Sequence, residues 1–164
     1  MVVGEIAERC EVVVIGGGPG GYLAAIRLAQ LGKDVLLVEE EERLGGVCLN
    51  EGCIPSKALI HAADLAVEAR AAHRMGIDVE GVTVDMPRMI AWKDDVVAKL
   101  TQGVAHLVEK NGAERLQGRA TFITANRLAV SSAHGPVYVD FKSAVIATGS
   151  SPRALPGFPQ DGQR

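Results

Sequence analysis

The chain has 164 residues, 48% of them hydrophobic and 23% charged, and a net charge of −3 from 17 basic and 20 acidic residues. That is the composition of an ordinary globular domain large enough to bury a core. The mild acidity removes any electrostatic reason to expect nucleic acid or an anionic membrane as a partner, and no apolar run reaches the ~18 residues of a membrane helix. The first nine residues carry acids and match neither a secretory signal nor an arginine-rich transit peptide, so a cytoplasmic location is expected.

Residues 1–10 read as an untied terminus. Residues 11–15 form a short β-branched run, the pattern of a strand buried on both faces in a parallel sheet. Gly16-Gly17-Gly18-Pro19-Gly20-Gly21 follows and leads into the apolar helical pattern of residues 22–31, which Gly32 stops. In this G-x-G-x-x-G, Gly16 permits the tight turn, Gly18 lets backbone approach a pyrophosphate, and Gly21 lets the helix pack close to the strand. The helix N-terminus offers free N–H groups to the phosphates. Residues 34–39 form the second strand, and Glu39, 18 residues after Gly21, stands where a carboxylate can bind a ribose diol. The glycine pattern alone does not separate FAD from NAD.

A charged link, Glu40 to Leu44, precedes Gly45-Gly46-Val47-Cys48-Leu49-Asn50-Glu51-Gly52-Cys53-Ile54-Pro55-Ser56-Lys57. Residues 54–75 then predict a long helix closed by Gly76, and residues 77–84 an irregular or short extended segment. Asp85 is the expected cap of a second long helix running to Lys110, with Pro87 in its first turn and Trp92, Val96, Leu100, Val104 and Leu107 as its buried face. Trp92 and the methionines are read as core. Asn111-Gly112 ends that helix. Four short extended runs, at 113–116, 119–124, 127–132 and 137–141, suggest a small antiparallel meander. Residues 143–147 read as a strand like the first, followed by Thr148-Gly149-Ser150, where backbone can approach the same ligand. The proline-containing stretch 151–164 reads as a connector, so residues 1–150 are expected to be the domain.

Three cysteines, Cys10, Cys48 and Cys53, are too few for a disulfide scaffold. Cys48 and Cys53 form a close pair whose chemistry is redox or metal binding. The four histidines are scattered and no second cysteine pair exists, so no metal is expected. On a straight helix, residues five apart rise ~7.5 Å and sit ~140° apart around the axis, whereas a disulfide wants Cα atoms within roughly 4.4–6.8 Å. The backbone between the two must therefore bend, with Gly52 supplying the freedom and Pro55 marking the return to regular helix. A thiolate at such a helix start gains from the dipole, which lowers its pKa. The C-x4-C spacing and the dinucleotide unit before it argue against a thioredoxin-like protein and for electron passage between flavin and sulfur.

Together, residues 16–21, Glu39, residues 45–57 and residues 147–150 resemble the FAD domain of the flavin disulfide reductases, and the resemblance extends over nearly the whole chain. Within that family the cysteine segment is most similar to the dihydrolipoamide dehydrogenases. Glutathione and mercuric reductases usually show Thr before the first cysteine and Val at both hydrophobic positions, and they remain the alternative, beside a non-catalytic flavin-binding module. The resemblance implies an α/β, Rossmann-like FAD-binding domain with a parallel sheet, long helices and a small antiparallel meander. It implies Cys48 as the interchange thiol, Cys53 as the thiol against the flavin, and Lys57 near the reactive edge of the ring. Gly16, Gly18 and Gly21 would hold the pyrophosphate and Glu39 the ribose, with Glu40 and Gly46 also in contact with the cofactor. Ala120 would touch the adenine side, and Thr148, Gly149 and Ser150 would line the cofactor from the last strand. The implied reaction oxidises dihydrolipoamide on the lipoyl-bearing acyltransferase subunit of a 2-oxoacid dehydrogenase complex, through FAD, to reduce NAD. The family's chains add an NAD-binding domain and an interface domain that carries a catalytic histidine across a homodimer. The expectation is that 164 residues alone do not turn over, and no acid–base residue is assigned. Cys10 matches no motif and is read as structural.

Overall fold

Val12-Val13-Val14-Ile15 and Val35-Leu36-Leu37-Val38 are apolar at every position because both faces of the sheet they form are covered. In the computed structural model, which describes residues 7–151, 153 and 155–157, the alternate side chains of these two strands divide cleanly. Val12, Val14, Val35 and Leu37 pack with Ala25, Val104 and Val108 of two helices. Val13, Ile15, Leu36 and Val38 pack with Leu128, Val130, Val139 and Phe141 of later strands. The result is a three-layer unit: helices, central sheet, meander.

In chain order the elements are β1 (Ala7–Ile15), α1 (Pro19–Gln30), β2 (Val35–Glu39), α2 (Gly46–Asn50), α3 (Cys53–Ala71), α4 (Met86–Lys110), β3 (Glu114–Gln117), β4 (Arg119–Thr124), β5 (Arg127–Ser132) and β6 (Gly135–Ile146). A 3-10 turn, Ala72–Met75, extends α3 to Gly76, and residues 77–84 form neither helix nor strand. All six strands belong to one sheet in the order β3-β2-β1-β6-β5-β4. This is the expected Rossmann-like α/β fold, with three corrections of detail.

First, β6 is a single 12-residue strand where two were expected. It runs parallel to β1 along its length and antiparallel to β5 over its first half, so the meander is a continuation of the parallel sheet. Nothing between Phe141 and Ser143 breaks an extended chain, and the break read there had no turn residue behind it. The long strand also supplies partners for Ala7 to Cys10, which pair with Tyr138 to Phe141 and are not an untied terminus. Residues 1–6 lie outside the described residues, as does most of the expected connector.

Second, the run beginning at Ala113 does not join the meander. β3 pairs parallel with β2, from Leu36↔Glu114 to Glu39↔Gln117. Gly118, at φ +153°, makes the corner between the two layers: its N–H donates to the Glu39 carbonyl at 2.8 Å, and a Cβ there would lie 2.5 Å from the Ser131 carbonyl oxygen. Third, α4 buries Val97, Thr101, Val104 and Val108, while Trp92, Leu100 and Leu107 are largely exposed. Thr101 hid this face from a reading by hydrophobicity. Its hydroxyl donates to the Val97 carbonyl at 3.0 Å and so enters the core with its hydrogen bond made. Trp92 instead lies beside His61 of α3, ring centroids 6.5 Å apart, and Met75 and Met86 are exposed. The ends of α4 are as read: Asp85 Oδ1 accepts from the Arg88 N–H at 3.0 Å, and Asn111 with Gly112 closes the helix.

Gly103 sits inside α4, and a Cβ there would meet nothing within 4 Å. Gly103→Ala is therefore expected to raise the unfolding free energy by about 1 kcal/mol, measured by denaturant unfolding. On the meander, Arg127 grips Asp140 through two bonds of 2.6 and 2.9 Å, and this holds the Asp140 carboxyl below the usual carboxylate range. The stabilisation is full at neutral pH and is lost as pH falls through the lowered pKa, beneath the ordinary ~3.9. Asp140→Asn is expected to reduce stability at pH 7 and to converge with the unmodified chain near pH ~2, read as unfolding midpoints across that range.

Candidate functional site

The glycine loop stands where β1 ends. A Cβ on Gly21 would fall 1.6 Å from the Gly16 carbonyl oxygen, so α1 rests directly on the loop backbone. Gly16 itself has φ +103° and lies against the Ala147 carbonyl, 2.3 Å from where its Cβ would be. Gly18 differs. It is the N-cap residue of α1 with ordinary extended dihedrals, and a Cβ there would meet nothing nearer than the Gly46 Cα at 3.9 Å. Its hydrogens face open cleft. The start of α1 carries no side-chain cap and no acidic residue in its first turn, so its N–H groups and positive dipole end are left for an anion.

Glu39 ends β2 with its carboxylate turned onto that loop. Oε2 accepts from the Gly17 N–H at 2.5 Å and Oε1 from the Glu41 N–H at 3.0 Å. The side chain thus ties the loop to the segment after β2, in addition to lining the cleft. Glu40 pairs with Arg119 across 3.7 Å of exposed surface, a contact of small energetic weight. Two further backbone contacts carry the chain on to the cysteines. The Gly45 N–H donates to the Gly17 carbonyl at 2.8 Å, and a Cβ on Gly46 (φ +55°) would lie 2.9 Å from the Gly18 Cα.

Cys48 occupies α2 and Cys53 is the first residue of α3, and the break between them falls at Glu51-Gly52. The Glu51 and Gly52 N–H groups both turn back to the Val47 carbonyl, and the Ser56 N–H then reaches the Gly52 carbonyl to open α3. Pro55 lies in that first turn, where its missing N–H costs no helical bond. Both residues are free thiols, Cys48 half-buried and Cys53 exposed. The expected lowering of thiol pKa does not hold for Cys48. A hydrogen bond with the Cys53 side chain and partial burial raise it, and the Lys57 charge and the Cys53 N–H only partly offset them. Burial pushes the Cys10 thiol up to about 11, with Asp34 adding to it, which leaves Cys10 unreactive at neutral pH.

A cleft of about 1510 Å³ joins these parts. That exceeds the roughly 300–1,000 Å³ of a drug-sized pocket and leaves room for a dinucleotide. Gly16, Gly18, Glu39, Glu40, Gly46, Cys48, Ala120, Thr148, Gly149 and Ser150 all line it. Three expected residues do not. Gly21 lies beneath the loop, and Cys53 and Lys57 stand beside the cleft, exposed on α3. Asn50, Arg43 and Arg119 line it and were not foreseen. Asn50 was legible only as part of the cysteine segment, and the two arginines carried no spacing signal. Among the described residues no group of three or more His, Cys, Asp or Glu side chains could hold a metal ion. A glycine cradle, an uncapped helix start and a dinucleotide-sized cleft fit the diphosphate of FAD.

A family model for pyridine nucleotide-disulphide oxidoreductases matches residues 10–164. Dihydrolipoyl dehydrogenase 2 of Haloarcula marismortui is 49% identical over 166 residues, covering 99% of this chain and 35% of its own. Dihydrolipoyl dehydrogenase of Geobacillus stearothermophilus is 50% identical over 158 residues, covering 96% and 33% respectively. The HOCl-induced flavoprotein disulfide reductase RclA of Escherichia coli, solved as a Cu(II) complex, superposes with a TM-score of 0.75 at 28% identity, over 91% of this chain and 30% of its own. The chain spans about a third of the length of the curated relatives it matches. The family match runs through the glycine loop, both cysteines and the last strand, and the chain belongs to the pyridine nucleotide-disulphide oxidoreductases.

Proposed function

We propose that this chain supplies the first part of the FAD-binding domain, residues 1–150, of a dihydrolipoyl dehydrogenase, with 151–164 leading out of it. The observation that carries the reading is the single cleft that holds both the uncapped glycine start of α1 and Cys48. Gly16 and Gly18 would take the pyrophosphate, with Gly21 keeping α1 close enough to do so. Glu39 and Glu40 would take the adenosine ribose, Ala120 the adenine side, and Gly46, Thr148, Gly149 and Ser150 the remainder of the cofactor. When bound, FAD would supply a two-electron acceptor for the dithiol and a donor to NAD. Cys48, on the cleft wall, is the thiol that would exchange with the substrate dithiol, and Cys53 its resolving partner. Lys57, close enough for its charge to act on the Cys48 sulfur, would favour the thiolate. The substrate class in the whole protein would be dihydrolipoamide on the acyltransferase subunit of a 2-oxoacid dehydrogenase complex, and the whole protein would act as a homodimer. Among the described residues no helix is long and apolar enough to cross a membrane. The reading places the reaction in the cytoplasm.

The cradle is tested at Gly18. Because a Cβ there meets no protein atom nearer than 3.9 Å, Gly18→Ala should lower the thermal midpoint only by the small cost of a poorer N-cap, about 1 kcal/mol or less. It should nevertheless weaken FAD binding roughly tenfold or more, since the pyrophosphate needs the space. Flavin fluorescence titration of the two chains measures this, and equal affinities would remove Gly18 from the site. The thiol pair is tested by pH. The Cys53 side chain favours the protonated form of Cys48, so Cys53→Ala should move the alkylation midpoint of Cys48 by iodoacetamide to lower pH, and Lys57→Ala should move it higher. Rate profiles resolved by mass spectrometry check both directions.

A further inference from the structure

Asn50 is the residue of the cysteine segment whose side-chain amide is committed to the backbone around Cys48. Its Nδ2 donates to the Gly46 carbonyl at 3.0 Å and to the Leu44 carbonyl at 3.2 Å. Leu44 is 1% exposed, and its carbonyl lies at the start of the tight turn that leads through Gly45 and Gly46 into α2. One amide therefore ties the far end of α2 to its beginning and to the turn before it. That same beginning is the part laid on the glycine loop, through Gly45 N–H to the Gly17 carbonyl and Gly46 against Gly18. Cys48 lies midway along this closed turn, and Asn50 lines the cleft beside it. A helix of five residues has little cohesion of its own, because each helix end leaves backbone groups without intrahelical partners.

We propose that Asn50 is a positioning residue for Cys48: its side-chain amide holds the α2 turn in register with the glycine loop and so fixes how readily Cys48 meets Cys53. The proposal rests on the dithiol reading above and names what controls it. Without the clamp the turn has more conformations, Cys48 spends less time within reach of Cys53, and the effective concentration of one sulfur at the other falls. The disulfide is then harder to form, while the N–H groups at the start of α1 are untouched.

The experiment equilibrates the chain in mixtures of reduced and oxidised glutathione. In this exchange the two cysteines lose two protons and two electrons, a disulfide forms between them, and one glutathione disulfide becomes two glutathione thiols. Acid trapping, alkylation and mass spectrometry give the fraction of Cys48–Cys53 disulfide. Asn50→Ala is expected to shift the half-oxidation ratio roughly tenfold toward the dithiol, the scale of a lost hydrogen bond. Asn50→Asp, similar in size but without the donors, shifts it the same way and serves if the alanine variant does not fold. Asn50→Gln, which keeps both donors, moves back toward the original value. A half-oxidation ratio unchanged in Asn50→Ala and Asn50→Asp overturns the proposal, and so does a loss confined to FAD affinity. If the unsubstituted chain forms no Cys48–Cys53 disulfide at any ratio, the dithiol reading itself is overturned, and this proposal with it.

Discussion

Backbone rests on backbone at the carboxyl end of this sheet, and the rest of the unit depends on that closeness. Gly21 sits on the Gly16 carbonyl, Gly16 on Ala147, and Gly46 on Gly18, each at a distance that leaves no room for a side chain. Three stretches of chain thereby converge: the glycine loop at the start of α1, the end of β6, and the turn that leads from β2 into α2. The hydrophobic core beneath is ordinary, with Val, Leu and Ala filling both faces of the parallel strands. What that core does for the site is hold two layers rigidly enough that bare peptide can be apposed above it. The apposition brings glycine backbone to one cleft, whose wall also carries Glu39, Arg43, Cys48, Asn50 and Arg119.

Within that frame the hydrogen bonds show a division of labour. Glu39 commits both oxygens to N–H groups of Gly17 and Glu41, and Asn50 commits its amide protons to the carbonyls of Leu44 and Gly46. Arg115 reaches from β3 to the carbonyls of Glu41 and Glu42. Three side chains thus fasten the connection between β2 and α2, which has no regular structure of its own over residues 40–45. A connection fastened at its ends and its middle can hand the position of the glycine loop to Cys48. The hydrogen bond between the Cys53 and Cys48 side chains holds the Cys48 thiol above its ordinary pKa.

Much of this was legible from residue order. The glycine spacing, the Asp85 cap with Pro87 and the Asn111-Gly112 stop are local signals, and each element formed where its signal stood. The bend between Cys48 and Cys53 followed from helix geometry alone, and it falls at Gly52 as read. The misses share another cause. Whether β3 pairs with β2 or with β4 is decided by long-range partners, and Gly118 looks the same in either arrangement. The continuity of β6 depends on β1 being long enough to match it. The face of α4 was misjudged because Thr101 satisfies its own hydroxyl, something a hydrophobicity scale does not record. Arg43 and Arg119 line the cleft through placement by the fold, with no neighbouring motif to announce them.

The central claim is that the glycine loop and the cysteine-bearing turn form one mechanical unit, so that a dinucleotide seated on the first is felt by the second. Backbone amide spectra of the nitrogen-labelled chain, recorded while FAD is added, test it directly. The account predicts that the amides of Gly17, Gly18 and Gly20 and those of Gly46, Val47 and Cys48 shift together, along one binding curve. Shifts confined to the start of α1, with the Cys48 turn unmoved at saturation, would contradict it.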